Sequence, residues 1–348
     1  MEIYELLNFM RDAGASDLHL SPYSSPIVRI DGEMRKTKLK PMLPEEVHVL
    51  IYDIMNDNQR KKYEEELELD FSCDFQTMGR FRVNVFKSMH GDTAVLRSVI
   101  EKVYTFEDLN LPDVMKDVIS KRKGLILITG PTGSGKTTTL NTLIDYINSH
   151  FKKHIITIED PIEFVHQSKK SLVNHREIGT STHSYAKALR SALREDPDVI
   201  VVGEMRDLET TALAITAAET GHLVFGTLHT INATKTLDRI MDQFPSEQQD
   251  QIRTQLSESI LAVVSQVLLL KKGGGRTAAF EIMVGTPAVA NLIREKKTFQ
   301  LPSVLQTSGK QGMITMEQSL NKLISSGSIN EKQIQEIIPD FTNTAEKN

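Results

Sequence analysis

The chain has 348 residues, of which 39% are hydrophobic and 25% are charged, a composition typical of folded globular proteins and unlike that of disordered or collagen-like chains. At roughly 150 residues per domain, this length predicts two or three domains. The formal net charge of −5 provides no overall positive field that would attract nucleic acid or anionic lipid.

The cysteine content and the apolar runs bear on the compartment. Cys73 is the only cysteine in the sequence, which excludes an internal disulfide and a cysteine-based zinc cluster. The N-terminus lacks the pattern of a secretory signal. The longest apolar run, residues 260–270, is interrupted by Ser265 and Gln266 and is shorter than the roughly 20 residues that span a bilayer. We therefore expect a soluble, cytoplasmic protein with no membrane-spanning segment.

The first hundred residues combine helical and extended patterns. Apolar residues recur at helical spacing from Ile3 to Met10, and residues 17–20 and 27–30 have the character of strands. A second helix is predicted from Pro44 to Met55, and residues 59–70, rich in Lys and Glu, are predicted to expose a solvated helical face.

Strict alternation marks the end of this region. It places Phe81, Val83 and Val85 on one face of a strand, and residues 92–99 are predicted to be the neighbouring strand, with a turn at Gly91. Residues 1–100 are therefore predicted to form a small α+β domain. Turn residues then predict a linker over residues 101–114.

From Gly124 onward, short apolar strands alternate with longer helical stretches. The predicted strands are residues 125–129, 155–159, 199–203 and 223–228. Such alternation indicates a parallel sheet with crossover helices, and hence an α/β core over residues 115–270. Beyond Ser246 the pattern predicts mainly helical structure, so residues 271–348 are predicted to be mostly helical, with a frayed tail from Thr342.

A complete GxxxxGK[ST] motif lies between the first of these strands and a helical stretch. Its glycines allow the backbone to wrap a phosphate, and the helix N-terminus adds positive partial charge. Lys136 is predicted to reach the β- and γ-phosphates and Thr137 to bind Mg²⁺. The candidate nucleotide-binding residues are Gly130, Pro131, Thr132, Gly133, Ser134, Gly135, Lys136, Thr137 and Thr138.

Acidic residues follow two of the other predicted strands. Glu204 ends the strand 199–203 at the place of a Walker B motif, with Gly203 where an Asp is usual, and is the candidate Mg²⁺ ligand, directly or through water. Three carboxylates, those of Glu159, Asp160 and Glu163, fall within five positions after another strand. In a parallel sheet they reach the edge where ligands bind, and one of them is predicted to polarise the attacking water. Spacing does not decide which one.

Two histidines flank the last predicted strand. His229, at its far end, is positioned to sense the γ-phosphate, whereas His222, at its start, is predicted to be structural. From the residues alone, the alternative that His229 is an ordinary satisfied polar side chain stays open.

These motifs occur together and in order: Walker A at 130–137, an Asp box at 157–163, the atypical Walker B and a His box at 221–229. In this combination the chain resembles the secretion and pilus-assembly ATPase superfamily, and the stretch 203–229 is most similar to the type IV pilus retraction ATPases. The segment from Ala15 to Leu20 matches the opening motif of that family. The resemblance extends over residues 2–335.

The resemblance implies an N-terminal PAS-like domain, a RecA-like ATPase domain and a homohexameric ring. It implies that ATP binds between the two domains, with arginines from the N-terminal domain, for which Arg82 and Arg97 match the positions and Arg80 is a weaker candidate. By the same resemblance Glu163 is the first choice for the catalytic base, Glu204 is the acid on the Mg²⁺ side, and His229 couples the γ-phosphate to domain movement.

The resemblance further implies partners and place: the inner-membrane platform protein of the pilus machine, the pilus indirectly, and a peripheral position at the cytoplasmic side of that machine. The stretch 288–295 resembles a C-terminal motif that the family associates with retraction rather than ATP turnover, with Val289-Ala290 a mild departure. The apolar spacing of Val289, Leu292 and Ile293 is equally that of an ordinary core helix.

Three rival functions are weighed against a retraction motor. A P-loop transferase such as a small-molecule kinase is disfavoured by the carboxylate cluster, which suits water activation. A ring helicase or DNA translocase is disfavoured by the net charge and by 6% aromatic content with no Trp. Pilus extension motors usually carry a longer N-terminal extension and a tetracysteine metal site, so the single cysteine and the start of the chain favour retraction.

Overall fold

The computed structural model describes residues 2–30, 32–75, 78–99 and 103–330. The chain divides into two compact units: the first comprises residues 1–102 together with 161–165, and the second comprises residues 103–160 and 166–348. The predicted frayed tail and the start of the predicted linker lie outside the described residues.

The first unit is a six-stranded antiparallel sheet with helices. Its helices are α1 (Ile3–Asp12), α2 (Pro44–Asp53) and α3 (Asp57–Glu66). Its strands are β1 (Asp17–Leu20), β2 (Ile27–Ile30), β3 (Glu33–Lys36), β4 (Glu68–Phe75), β5 (Gly79–Ser88) and β6 (Gly91–Ser98). The strand order is β3-β2-β1-β6-β5-β4.

The apolar periodicities of this unit are those the sequence predicts. Ile3, Met10 and the other apolar residues of α1 are buried, and Phe81 and Val83 of β5 lie in the same hydrophobic core. The helix predicted over 59–70 is wrong at its C-terminal end. Leu67 adopts a left-handed φ of 64°, which ends α3, and the alternation that follows buries apolar side chains of β4 instead.

The second unit contains a seven-stranded sheet. Its strands are β7 (Gly124–Thr129), β8 (His154–Glu159), β9 (Leu172–Glu177), β10 (Val199–Val202), β11 (Leu223–Leu228), β12 (Ile260–Leu270) and β13 (Arg276–Val284). Their order is β13-β12-β7-β11-β10-β8-β9. All neighbouring pairs are parallel except β12 with β13. The predicted parallel sheet with crossover helices, and with it the α/β class, is confirmed.

Helices cover both faces of this sheet. They are α4 (Phe106–Leu109), α5 (Val114–Ile119), α6 (Lys136–His150), α7 (Tyr185–Ala192), α8 (Leu208–Thr220), α9 (Ala233–Asp242), α10 (Ser246–Ser259), α11 (Pro287–Arg294), α12 (Leu301–Thr307) and α13 (Met316–Ser325). Two hydrophobic clusters fill the space between helices and strands. Among the described residues, no helix has both the length and the apolar character that crossing a bilayer requires.

Two segments differ from the sequence-based expectation. The region beyond Ser246 is predicted to be mainly helical, but β12 and β13 occupy residues 260–270 and 276–284 and pair antiparallel with each other. The segment 101–114, expected to be a linker, contains α4, whose Phe106 is buried and packs against Tyr146 of α6 at 4.9 Å between ring centroids. Burial of this aromatic side chain attaches the segment to the second unit.

Candidate functional site

The GxxxxGK[ST] loop occupies residues 130–135, between the end of β7 and the start of α6. Gly130, Gly133 and Gly135 have φ angles of 147°, 79° and 87°, in a region that residues with a Cβ rarely adopt. The loop therefore has the backbone that the motif predicts, and it leads into the N-terminus of a 15-residue helix, where anions are stabilised.

Lys136, the first residue of α6, folds back over this loop. Its ammonium group donates hydrogen bonds to the carbonyl oxygens of Gly130 at 2.8 Å and Pro131 at 3.0 Å. It also lies 3.4 Å from Nδ1 of His229. The lysine is thus positioned at the mouth of the loop by backbone acceptors.

His229 follows directly after β11 and connects this lysine to Glu204. Because an ammonium group can only donate, Nδ1 of His229 is the acceptor from Lys136, and the ring proton lies on Nε2. Nε2 is 3.1 Å from Oε1 of Glu204. The structure therefore brings together three side chains that the sequence placed in separate motifs.

Glu204 is held on its other side by Arg206, whose Nη2 lies 2.6 Å from Oε2. The Glu204 side chain is 20% exposed. Burial opposes its ionisation, but the hydrogen bonds and positive charge of Arg206, together with His229, outweigh that effect and lower the pKa of Glu204. The carboxylate is therefore a stable anion and a weak base.

Gly203, which replaces the usual Asp before Glu204, stands at a crowded point. A Cβ there would lie 3.1 Å from the carbonyl oxygen of Ile158 and 3.2 Å from the hydroxyl of Tyr185. The backbone is tied to both neighbouring strands, because Gly203 N–H donates to Ile158 at 2.8 Å and its carbonyl accepts from Thr227. The close approach of Tyr185 favours glycine at this position.

The three carboxylates of the Asp box are in different situations. Glu159, at the end of β8, is 15% exposed, and its Oε1 lies 3.6 Å from Nδ1 of His175. Asp160 is exposed. Glu163 is exposed as well and belongs to the first unit, unlike Glu204.

The predicted arginines lie in the first unit and are engaged in ion pairs. Nη2 of Arg82 is 2.5 Å from Oδ2 of Asp70, and Nε of Arg97 is 2.7 Å from Oδ1 of Asp17. Arg80 pairs in the same way with Asp74 at 2.9 Å. The side chains of Arg82 and Arg97 remain 38% and 63% exposed.

Sequence reasoning missed several polar residues around the site. Arg206 and Tyr185 flank Glu204, and His175 bonds to Thr157 at 2.8 Å beside Glu159. Gln266 is 1% exposed and donates from Nε2 to the Ser134 carbonyl at 2.6 Å. In the sequence, Gln266 is marked only by its polar character within an apolar run. The positions of Arg206, Tyr185 and His175 depend on strand pairing, which the sequence does not show.

The C-terminal motif forms α11. Val289 and Ile293 are buried and Leu292 packs against the same cluster, as a core helix requires. Asn291 and Arg294 are exposed on the opposite side. One face of this helix is therefore structural, whereas the other is accessible.

Comparisons with known proteins agree with these motifs. Residues 3–337 match the family described as type II/IV secretion system protein. The chain is 55% identical over 336 residues to the type IV pilus retraction ATPase PilT of Pseudomonas aeruginosa, covering 97% of this chain and 98% of that protein. It is 54% identical over 308 residues to a twitching motility protein of Neisseria gonorrhoeae, covering 88% and 82% of the two chains.

A solved structure is similar over the whole fold. The crystal structure of the pilus retraction motor PilT with bound ADP superposes with a TM-score of 0.93 and 48% sequence identity, covering 99% of each chain. The resemblance seen in the sequence motifs is thereby confirmed, and the chain belongs to the type II/IV secretion system protein family.

Proposed function

We propose that the protein is an ATPase motor that hydrolyses ATP to drive the retraction of type IV pili. The observation that carries the proposal is the connected set of Lys136, His229 and Glu204 beside the phosphate-binding loop. Relatives named for pilus retraction and twitching match nearly the whole chain and support the biological role.

Binding of ATP uses the loop and the helix that follows it. Backbone N–H groups of the loop, including that of Gly135, and the N-terminus of α6 face the phosphates, and the Lys136 ammonium exchanges its two carbonyl acceptors for phosphate oxygens. Thr137 and Thr138 belong to the first turn of α6 and are half-buried there. This assigns the whole predicted motif to one phosphate-binding role.

The residues present also fit a magnesium ion. Mg²⁺ binds oxygen ligands, keeps several waters and uses one or two protein groups together with phosphates. Thr137 supplies a hydroxyl at the start of α6, and Glu204 is a carboxylate with a lowered pKa. Mg²⁺ held by these groups would neutralise charge that develops on the phosphates.

Water activation is assigned to Glu163. A general base must accept a proton from the attacking water, and both carboxylate oxygens of Glu204 are already engaged, one by Arg206 and one by His229. Glu163 is exposed and accessible to water. Glu159 and Asp160 are the alternatives, and comparison of the three glutamine or asparagine variants separates them.

His229 is proposed to report the state of the nucleotide. When Lys136 turns toward a phosphate, its 3.4 Å contact with Nδ1 of His229 is exchanged for that new partner. Because the same imidazole ring contacts both Lys136 and Glu204, its hydrogen bond to Glu204 then changes as well. Occupancy of the loop is thus transmitted to β11 and to the segment after β10 that contains Glu204.

Arg82 and Arg97 are proposed to supply positive charge to the transferring phosphate, in cis or in trans. Each must first leave its aspartate partner. The partly exposed pair of Arg82 with Asp70 is worth only about 0.2–1 kcal/mol, so its exchange for a phosphate contact is energetically accessible, whereas release of Arg97 from the buried Asp17 costs more. Movement that brings them in would link hydrolysis to a change of shape.

The assembly and place of the motor are part of the same proposal. We expect a homohexamer that acts on the cytoplasmic side of the inner membrane, held peripherally by the platform protein of the pilus machine. The proposed organisation is a PAS-like domain over residues 1–100, a RecA-like core over 115–270 preceded by the segment 101–114, whose α4 packs against α6, and a C-terminal region beyond it. Light scattering with and without ATP tests the oligomeric state.

The test of function combines two assays. The purified chain should release phosphate from ATP without needing single-stranded DNA or a phosphoacceptor, and it should restore twitching to a strain that lacks its retraction ATPase. Stimulation by DNA would favour a translocase, and transfer of phosphate to a small acceptor would favour a kinase. Restored piliation without twitching would favour an extension motor.

A further inference from the structure

Gln266 lies directly beneath the phosphate-binding loop. In the sheet, β12 runs parallel to β7 with Ser265 opposite Thr129, and these two side chains share a hydrogen bond of 2.8 Å. Gln266 is the next residue along β12, so it meets the loop that begins immediately after Thr129. Its side chain is buried and its Nε2 donates to the Ser134 carbonyl at 2.6 Å.

The backbone and side chain of Gln266 also set the spacing around two loop glycines. A Cβ on Gly130 would lie 2.4 Å from the carbonyl oxygen of Gln266, and a Cβ on Gly135 would lie 3.2 Å from its Nε2. The first distance is too short for any side chain. The loop therefore rests on this residue at Gly130, Ser134 and Gly135.

The hydrogen bond to Ser134 has a consequence for the opposite side of the loop. The peptide between Ser134 and Gly135 is planar and trans, so its N–H points away from its carbonyl. Because Gln266 holds the carbonyl, the N–H of Gly135 is directed away from β12. Loops of this type bind phosphate through such N–H groups.

We propose that Gln266 is a positioning residue of the nucleotide site, which fixes the Ser134–Gly135 peptide with its N–H toward the bound phosphate. The inference rests on the proposed ATPase function and adds to it a residue outside the motifs. Gln266 touches no reacting atom and acts through the loop.

The polar character of this residue also requires explanation. Gln266 lies in β12 close to Val264 and Val267, which are buried apolar residues. Among the described residues, Oε1 of Gln266 has no hydrogen-bond partner. Burial of an unpaired amide oxygen costs stability. An ordinary core position would be filled better by an apolar side chain, whereas a donor to Ser134 needs the amide.

The main test is Gln266→Met, which keeps the length of the side chain and removes the donor. We expect the Kd for ADP, measured by calorimetry, and the KM for ATP to rise about tenfold, while kcat changes much less. A misdirected N–H group weakens phosphate binding equally in the ground state and in the transition state. The matched control is Gln255→Met. Gln255 lies on α10 and, like Gln266, donates a hydrogen bond from its side-chain amide, in this case to Glu219 at 2.8 Å. Its nucleotide affinity should equal that of the wild type.

A second variant separates positioning from packing. In Gln266→Leu an apolar side chain of similar volume fills the same space and cannot donate to Ser134. We expect the Kd for ADP to rise about tenfold, as in Gln266→Met. A side chain that only fills space would leave the ADP affinity of both variants at the wild-type value.

The outcomes distinguish this inference from the function on which it rests. If the wild-type chain neither binds nor hydrolyses ATP, the proposed function fails. If the wild type binds and Gln266→Met binds equally well, the positioning role is overturned. Should Gln266→Met fail to fold, wild-type ADP affinity in Gln266→Leu overturns the role, and a loss of about tenfold supports it.

Discussion

Charged side chains are held differently in the two units. In the second unit, Lys136, His229, Glu204 and Arg206 form one connected series in which each group orients the next beside the phosphate-binding loop. In the first unit, Arg82 and Arg97 each contact an aspartate on the adjacent strand, Asp70 and Asp17 respectively. A connected series transmits the loss of one contact to the next residue, whereas a separate pair changes only locally.

The pairs of the first unit also differ from each other. Asp70, the partner of Arg82, is 38% exposed, but Asp17, the partner of Arg97, is 4% exposed. Burial opposes ionisation of Asp17, yet bonds from Ser16 and Arg97 lower its pKa overall. Arg97 therefore compensates a buried charge, and its removal should cost more stability than removal of Arg82.

The largest expected effect concerns the start of the connected series. Lys136→Ala should abolish ATP hydrolysis without unfolding the protein, because the ammonium group contacts loop carbonyls and phosphate rather than the core. Phosphate release and circular dichroism measure the two quantities. Lys123→Ala, at an exposed lysine of the same unit, serves as control. Substantial turnover in a well-folded Lys136→Ala preparation would contradict the assignment of the loop.

The carboxylates should separate by kinetics. Glu163→Gln should still bind Mg-ATP and lose about 10²-fold or more in kcat, as expected when a general base is removed. Glu204→Gln should instead change the dependence of activity on Mg²⁺ concentration. Glu247→Gln, at an exposed position of α10, should behave as wild type. Normal hydrolysis by Glu163→Gln, together with an inactive Glu204→Gln that keeps its Mg²⁺ affinity, would reverse the two roles.

The arginines test whether the separate pairs take part in catalysis. Arg82→Ala and Arg97→Ala should each lower kcat at saturating Mg-ATP by about tenfold or more, with little change in nucleotide affinity. Arg35→Ala, which breaks an exposed pair with Glu33 in the same sheet, should leave kcat unchanged. Wild-type kcat in both variants would reduce these arginines to structural partners of Asp70 and Asp17.

A smaller effect is expected for a carboxylate on the helix behind the loop. Asp145 of α6 lies near His166 and accepts from Lys169, and these groups lower its pKa to about 2. Because the pKa of Asp145 is lower in the folded than in the unfolded protein, its ionised carboxylate stabilises the fold at pH values above the pKa of the unfolded state. This contribution is lost as the pH falls toward 2.

Asp145→Asn should therefore lower the free energy of unfolding at pH 7 by about 1–2 kcal/mol. The difference from wild type should shrink between pH 4 and pH 2, as measured by urea unfolding. Asp242→Asn, at an exposed aspartate, is the control. A difference that stayed constant through this pH range would show that Asp145 does not act through its charge.

The smallest effect on the isolated protein concerns α11. Asn291→Ala and Arg294→Ala change exposed side chains, so hydrolysis should remain within about twofold of wild type while pilus retraction in cells fails. Val289→Ala, at a buried position of the same helix, should instead lower the melting temperature. Equal loss of hydrolysis and retraction in the first two variants would support a purely structural helix.

Local sequence patterns determine many of the helices, strands and loops of this protein. The apolar spacing of α1, the alternation in β5 and the strand, loop and helix around Lys136 could all be predicted, because each depends on neighbours within a few residues. The motifs of the site are likewise short, and the residues that bind phosphate follow from one contiguous stretch. For these features, periodicity and turn chemistry are sufficient.

Tertiary structure alone decided which distant residues meet. Lys136 and His229 are 93 positions apart, and Gln266 reaches Ser134 across 132; both contacts depend on the order in which parallel strands pair, which no local spacing encodes. The hairpin of β12 and β13 was missed for the same reason, since a stretch of mostly apolar residues can belong to a buried strand or to a buried helix segment. Sheet pairing, more than any motif, assembled the site.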